Sequence, residues 1–179
     1  SWMENQYDNE HSFFAYLSLN APHGPLIAPE KYKMRFLDEG YDNSTAARYG
    51  MIENIDDNMG ILMDKLKQWN ALENTLVIFM TDNGMAMKGI GHKEKGRLIA
   101  WNAGMRGTKD TNWEGGTRVP SFWYWKGMLG EGVDISALTA HVDLYRTFCQ
   151  LAGVEIPRSN LTPKGRSLVP LLQDSKSKW

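Results

Sequence analysis

Four residues in this chain are of types that bind a cation or an anion, and each lies in or beside a segment punctuated by Gly or Pro. Asp82 and Asn83 follow the apolar run Thr75-Leu-Val-Ile-Phe-Met-Thr81 and precede Gly84. They offer a carboxylate and an amide oxygen at the end of a strand-like segment. Such hard donors suit Ca²⁺ or Mg²⁺ better than a soft metal. Asp-Asn-Gly is also an ordinary turn. His23 lies between Pro22 and Pro25, so a stiff backbone aims its imidazole, which suits a hydrogen-bond donor or general acid. A solvated loop histidine is the plain alternative. Lys109 belongs to the loop Arg106-Gly-Thr-Lys109, where an ammonium can reach over a bound anion as a mobile point charge. The alternative is again a solvated side chain.

The elements that must position these residues are legible in outline. The run before Asp82 is rich in β-branched and large apolar residues and is stopped by Asn-Gly, so it reads as a buried central strand. In open α/β sheets, ligands bind beyond the carboxyl ends of such strands. Residues 12–19 read as an earlier strand that runs into the Pro22–Pro25 segment. A polar, Tyr-containing loop is expected to about Asn43. Ser44 is a candidate N-cap for a long helix reaching Trp69, with Ile52, Ile55, Met59, Leu62, Leu66 and Trp69 on one stripe.

Strand, helix, strand is the rhythm of a mostly parallel sheet flanked by helices, an α/β fold. Residues 84–116 lack periodicity. Residues 120–125 form a third strand candidate, with Pro120 at its first position, and Ile135–Ala137 a short edge element. Residues 141–152 predict a second helix closed by Gly153, followed by a tail from 154 in which residues 168–172 pack back. The expected organisation is one domain over residues 1–179, with a core of about 11–153. Glu114-Gly-Gly-Thr-Arg118 reads as bracing: glycines allow close backbone approach, and the two charges can pair. Arg106 either joins that bracing or helps to bind an anion.

Composition narrows the classes. Hydrophobic residues at 42% and charged residues at 23% are globular values. A net charge of −1 gives no electrostatic case for nucleic acid or an anionic membrane. No apolar run approaches the ~20 residues that span a bilayer. Cys149 is the single cysteine, which excludes an internal disulfide and a multi-thiolate zinc site. Its helical, apolar setting reads as packing rather than nucleophilic chemistry.

Taken in order, these segments resemble one family. Residues 17–25, Thr81-Asp-Asn-Gly84, Arg106-Gly-Thr-Lys109 with Glu114-Gly-Gly-Thr-Arg-Val-Pro120, and His141-Val-Asp-Leu-Tyr-Arg-Thr-Phe148 with Leu151-Ala-Gly153 are similar to the later part of a type I sulfatase. That family belongs to the alkaline-phosphatase-like superfamily, and the resemblance runs from about His11 to Leu172. It implies sulfuric ester hydrolysis. Asp82 and Asn83 would be two ligands of a divalent cation, Ca²⁺ with Mg²⁺ as the alternative. Lys109 would bind the sulfate oxygens, and His23 would contact the ester and protonate the leaving oxygen. The implied substrate is a sulfated small molecule or glycan. The implied compartments are periplasmic, secreted or lysosomal.

The departures are informative. The family nucleophile is a formylglycine made from Cys or Ser in a Cys/Ser-x-Pro-Ser-Arg motif, and no such motif occurs here; Cys149 is followed by Gln150-Leu151-Ala152. The expectation is therefore a C-terminal part of a catalytic domain with an incomplete N-terminal half. That missing half is then a partner, and a sheet edge left open favours self-association. Two other readings are a phosphodiesterase or phosphonate hydrolase of the same superfamily, and a non-catalytic module that binds sulfated glycans through tryptophans such as Trp101, Trp113, Trp123 and Trp125.

Overall fold

In the computed structural model, residues 1–86, 102–156 and 164–179 are described with their side chains, and residues 92–94 and 97–99 as backbone. They form two compact units, Ser1–Tyr124 and Trp125–Trp179.

The first unit opens with α1, Trp2–Asp8, capped by Ser1 through a capping box with Glu4. Next comes α2, Glu30–Asp38, where the sequence predicts only a loop. It forms because Tyr32 and Phe36, one turn apart, share a face. Tyr32 is buried and donates its hydroxyl to Asp57 at 2.7 Å, and Phe36 packs on Tyr49 with ring centroids 5.4 Å apart.

The long helix α3, Asn43–Gln68, is the expected one with a different cap. Asp42, not Ser44, is the N-cap, and its carboxylate accepts from the amides of Ser44 and Thr45 and from the Thr45 hydroxyl. An aspartate side chain at this position reaches the free amides of the first turn. The contact face also shifts along the helix. Leu66 is buried and the middle of the predicted stripe is half-buried, but Ile52 is exposed. In the N-terminal half, Ala46, Ala47, Gly50 and Met51 are buried instead. A Cβ on Gly50 would press on the Tyr32 backbone and on Ala28 at 3.1 Å, so small residues let α2 and α3 approach closely.

After a short 3₁₀ turn at Leu72–Asn74 comes β1, Val77–Met80, shorter than the run that predicts it and half-buried along its length. The hairpin β2, His92–Glu94, and β3, Arg97–Ile99, lies within the stretch that lacks sequence periodicity. Then follow α4, Glu114–Thr117, and β4, Ser121–Tyr124, the expected third strand. β4 pairs antiparallel with β1, with Ile78 opposite Trp123 and Phe79 opposite Phe122.

The class is α/β as expected, but both described ladders are antiparallel where the sequence rhythm predicts mostly parallel strands. The reason is the fate of residues 12–19. This segment has no regular secondary structure and belongs to no described ladder, and Tyr16 is 82% exposed. A strand exists only through its neighbour, so the parallel relation read from strand, helix and strand has no first member here. β1 instead takes β4 as its described neighbour.

In the second unit, α5, Val142–Leu151, ends as predicted. Gly153 has φ +66°, its amide reaches Gln150, and the Val154 amide reaches the Cys149 carbonyl at 2.9 Å. Ile135–Ala137 forms no strand. The tail returns through α6, Val169–Gln173, whose Leu171 is buried. It is fastened by Asp143 and Thr147 of α5: Asp143 accepts the Arg166 amide at 2.8 Å, and the Thr147 hydroxyl accepts the Leu168 amide at 2.9 Å. Cys149 is half-buried. It lies one turn from Tyr145, whose phenol it holds above the ordinary value. Among the described residues, no helix is long and apolar enough to cross a membrane.

Candidate functional site

β1 delivers the exposed Asp82 and the half-buried Asn83 to a turn whose backbone is held from the other side. The Gly84 amide donates to the Gly116 carbonyl at 2.9 Å, and the Lys109 amide donates to the Met85 carbonyl at 2.9 Å. The Lys109 loop is therefore tied to the chain immediately after the Asp-Asn pair. Glycine is required at this crossing, because a Cβ on Gly84 would overlap the Gly115 carbonyl. A Cβ on Gly115 would in turn overlap the carbonyl of Gly107. The Glu114-Gly-Gly segment thus works as close-packed backbone, as its composition predicts.

The lysine loop is further shaped from within. Thr111 donates its hydroxyl to the Thr108 carbonyl at 2.7 Å, and the same oxygen accepts the Thr108 amide at 3.1 Å. Asn102 donates to the carbonyls of Met105 and Gly107 at 2.7 and 3.0 Å. Sequence reasoning missed Asn102 and Thr111. Their neighbours carry only generic turn composition, and their partners are main-chain carbonyls that no side-chain pattern encodes. Arg106 stacks on Trp113, 3.5 Å from the ring centroid, so it takes no part in the pairing of Glu114 with Arg118. That pair is 3.6 Å apart and solvent-exposed, a setting in which an ion pair contributes little.

The donor set at the turn suits a hard cation. One Asp82 oxygen accepts the Asn83 amide at 2.9 Å, and the Asn83 amide nitrogen donates to the Gly84 carbonyl at 2.9 Å. Among the described residues this leaves the second Asp82 oxygen and Asn83 Oδ1 uncommitted. Two hard oxygens are part of the six to eight that a Ca²⁺ takes. Among the described residues, no group of three or more His, Cys, Asp or Glu side chains could hold a metal. The residues fit a share of a cation site.

His23 is held by a different element. Arg48 of α3 donates to the Pro22 carbonyl at 2.9 Å, and the His23 amide closes a turn onto Asn20 at 3.0 Å. Burial keeps the Arg48 guanidinium below its ordinary value. The His23 ring is exposed, and its Nδ1 lies 3.0 Å from the Gly24 carbonyl. A carbonyl only accepts, so this bond requires the proton on Nδ1 and leaves Nε2 as the acceptor nitrogen. Among the described residues, no hydrogen bond or ion pair joins His23 to Asp82, Asn83 or Lys109. Main-chain bonds tie the Asp-Asn turn to the lysine loop, and His23 is held by bonds of its own segment.

Comparison with known proteins decides the family. The sulfatase family model matches residues 1–154. This chain is a sulfatase family member. It is 32% identical over 167 residues to the uncharacterized sulfatase YdeN of Escherichia coli (strain K12), covering 92% of this chain and 28% of that relative. It is 32% identical over 163 residues to the N-acetylgalactosamine-6-sulfatase of Homo sapiens, with 90% and 28% covered. Among solved structures it resembles Ps i-CgsB in complex with k-i-k-neocarrahexaose, with a TM-score of 0.85 and 31% identity over 97% of this chain and 36% of that one. The PsFucS1 sulfatase from Pseudoalteromonas sp. gives a TM-score of 0.72 at 32% identity, over 92% of this chain and 30% of that one. These sulfatases have the alkaline-phosphatase-like fold, and this chain spans about a third of their length or less.

Proposed function

We propose that this chain supplies part of the metal- and sulfate-binding site of an enzyme that hydrolyses sulfate esters of a carbohydrate or aryl alcohol. In this reading Asp82 and Asn83 hold a divalent cation, Ca²⁺ or else Mg²⁺. Lys109 binds the sulfuryl oxygens, and His23 serves the leaving oxygen. The observation that carries it is the main-chain bond between Lys109 and Met85. It puts a half-buried lysine stem on the same backbone crossing as the acid–amide turn.

Cleavage of an S–O bond builds negative charge on the sulfuryl oxygens and on the departing alkoxide. A bound cation would counter part of that charge. The Lys109 ammonium supplies a second positive centre, on a loop already ordered by Thr111 and Asn102, so little reorganisation accompanies the reaction. With Nδ1–H engaged by the Gly24 carbonyl, Nε2 of His23 donates a proton only when both ring nitrogens carry one. The family's formylglycine nucleophile has no motif here, so the 179-residue chain by itself is inactive in this reading. The rest of a sulfatase domain is then its partner. The family resemblance also supports a periplasmic, secreted or lysosomal site of action.

The test is turnover by a protein carrying this chain within a full sulfatase domain, offered 4-nitrophenyl sulfate and bis(4-nitrophenyl) phosphate side by side. Faster hydrolysis of the sulfate supports this reading. Faster hydrolysis of the phosphodiester replaces it with the phosphodiesterase one.

A further inference from the structure

A groove of about 690 Å³ runs along the second unit, between the later turns of α5 and the returning residues 164–167. Arg146, Lys164 and Arg166 line it together with Gln150, Val154 and Ser167. No acidic side chain lines it among the described residues. The nearby Asp143 is buried, and its two oxygens accept the amides of Ala140 and Arg166. Its charge is thus spent on main chain. Glu155, between two lining residues, is exposed and not part of the wall.

The cations are carried on a fixed frame. Gly165 lies so close to the Val142 carbonyl that a Cβ would overlap it, which pins the backbone between Lys164 and Arg166. The Arg166 guanidinium stacks on Trp179, 3.8 Å from the ring centroid, and the indole donates to the Ser167 carbonyl at 2.6 Å. Stacking holds the planar fork in one orientation before any ligand arrives, which lowers the entropy lost on binding. Among the described residues, neither Lys164 nor Arg166 forms an ion pair with a carboxylate. Lys164 and Arg166, two like charges on one short segment of the wall, repel each other, and an anion relieves that repulsion.

The geometry points to a second anion site in this groove, one that takes a sulfate group of an oligosaccharide. A guanidinium fork matches the planar face of a sulfate oxygen pair. Gln150 and Ser167 offer hydrogen bonds to hydroxyls, and Val154 and Ile156 offer apolar surface to a sugar ring. The choice of a saccharide rests on the function proposed above; the anion site itself does not.

The test is calorimetric binding of a sulfated carrageenan hexasaccharide to the 179-residue chain and to Lys164→Glu, Arg166→Glu and Lys109→Ala variants. Lys164 is exposed, so Lys164→Glu leaves the fold intact even if Arg166→Glu disturbs the contact with Trp179. Weakening of about tenfold or more in Lys164→Glu, a change of about 1.4 kcal/mol, and greater than any weakening in Lys109→Ala, is the expected result. Unchanged affinity in Lys164→Glu, equal binding of the desulfated hexasaccharide, or displacement of the sugar by a short single-stranded RNA would overturn the proposal. Loss of binding in Lys109→Ala alone would overturn this site while leaving the sulfatase reading in place. Failure of sulfate ester hydrolysis with Lys164-dependent binding retained would do the reverse.

Discussion

The main-chain amide of Lys109 donates to the carbonyl of Met85 at 2.9 Å, three residues beyond Asp82. Through that bond a loop with no secondary-structure signal becomes an extension of a strand end. The glycines on either side make the approach possible, so the arrangement is sensitive to any added side-chain atom.

Gly84→Ala tests that sensitivity. The new Cβ meets the Gly115 carbonyl, a main-chain atom that cannot rotate away. Overpacking of this kind costs about 3 kcal/mol. Urea denaturation should show a clearly lowered midpoint, whereas Gly60→Ala, at a site with open space around it, should not.

Asp42 makes stability depend on pH. Its carboxyl lies below its ordinary value of 3.8, chiefly because the Thr45 hydroxyl and then the first-turn amides donate to the charged form. A carboxylate depressed in the folded state stabilises fully above the unfolded value and loses that contribution as pH falls through the folded one. Thermal melts should therefore show a smaller difference between the wild type and Asp42→Ala as pH drops below about 4. At neutral pH the substitution should cost about 1 kcal/mol.

Thr147 is fully buried, and its hydroxyl both receives the Leu168 amide and donates to the Asp143 carbonyl. Thr147→Val keeps the shape but leaves that amide without a partner, at a cost of about 1–3 kcal/mol. Hydrogen exchange should speed up at Leu168 and across α6, with α3 unaffected.

The exposed apolar side chains of residues 12–19, Phe14, Tyr16 and Leu17 among them, together with Phe122 of β4, predict self-association of the isolated chain. Sedimentation velocity should show species larger than a monomer at high concentration, and Phe14→Lys with Tyr16→Lys should shift them toward monomer. A wild-type chain that stays monomeric throughout would contradict this.

How far the sequence carried these conclusions differs by element. The β1 strand, the long α3 helix and the Gly153 stop were readable because local periodicity or a single φ requirement decides them. α2 was not, since the partners that give Tyr32 and Phe36 their face, Asp57 and Tyr49, lie far along the chain. The antiparallel pairing of β1 with β4 was not readable either, because strand direction depends on neighbours that periodicity cannot name. For the site, Asp82, Asn83 and Lys109 stand out in the sequence as residue types in an ordered set, whereas the main-chain tie of Lys109 to Met85 was not readable. His23 was legible as a stiffened histidine, but its hold on α3 through Arg48 was not. Trp101, named as a sugar-stacking candidate, lies outside the described residues.

The central claim is that Lys109 meets a sulfate ester beside the Asp82–Asn83 turn. It is tested most directly by steady-state hydrolysis of 4-nitrophenyl sulfate by a full sulfatase domain carrying Lys109→Ala, with circular dichroism verifying the fold. Losing one preorganised charge from the transition state predicts a fall in kcat of about 10²–10³-fold, with partial recovery in Lys109→Arg. A Lys109→Ala enzyme that turns over as fast as the wild type would contradict the account.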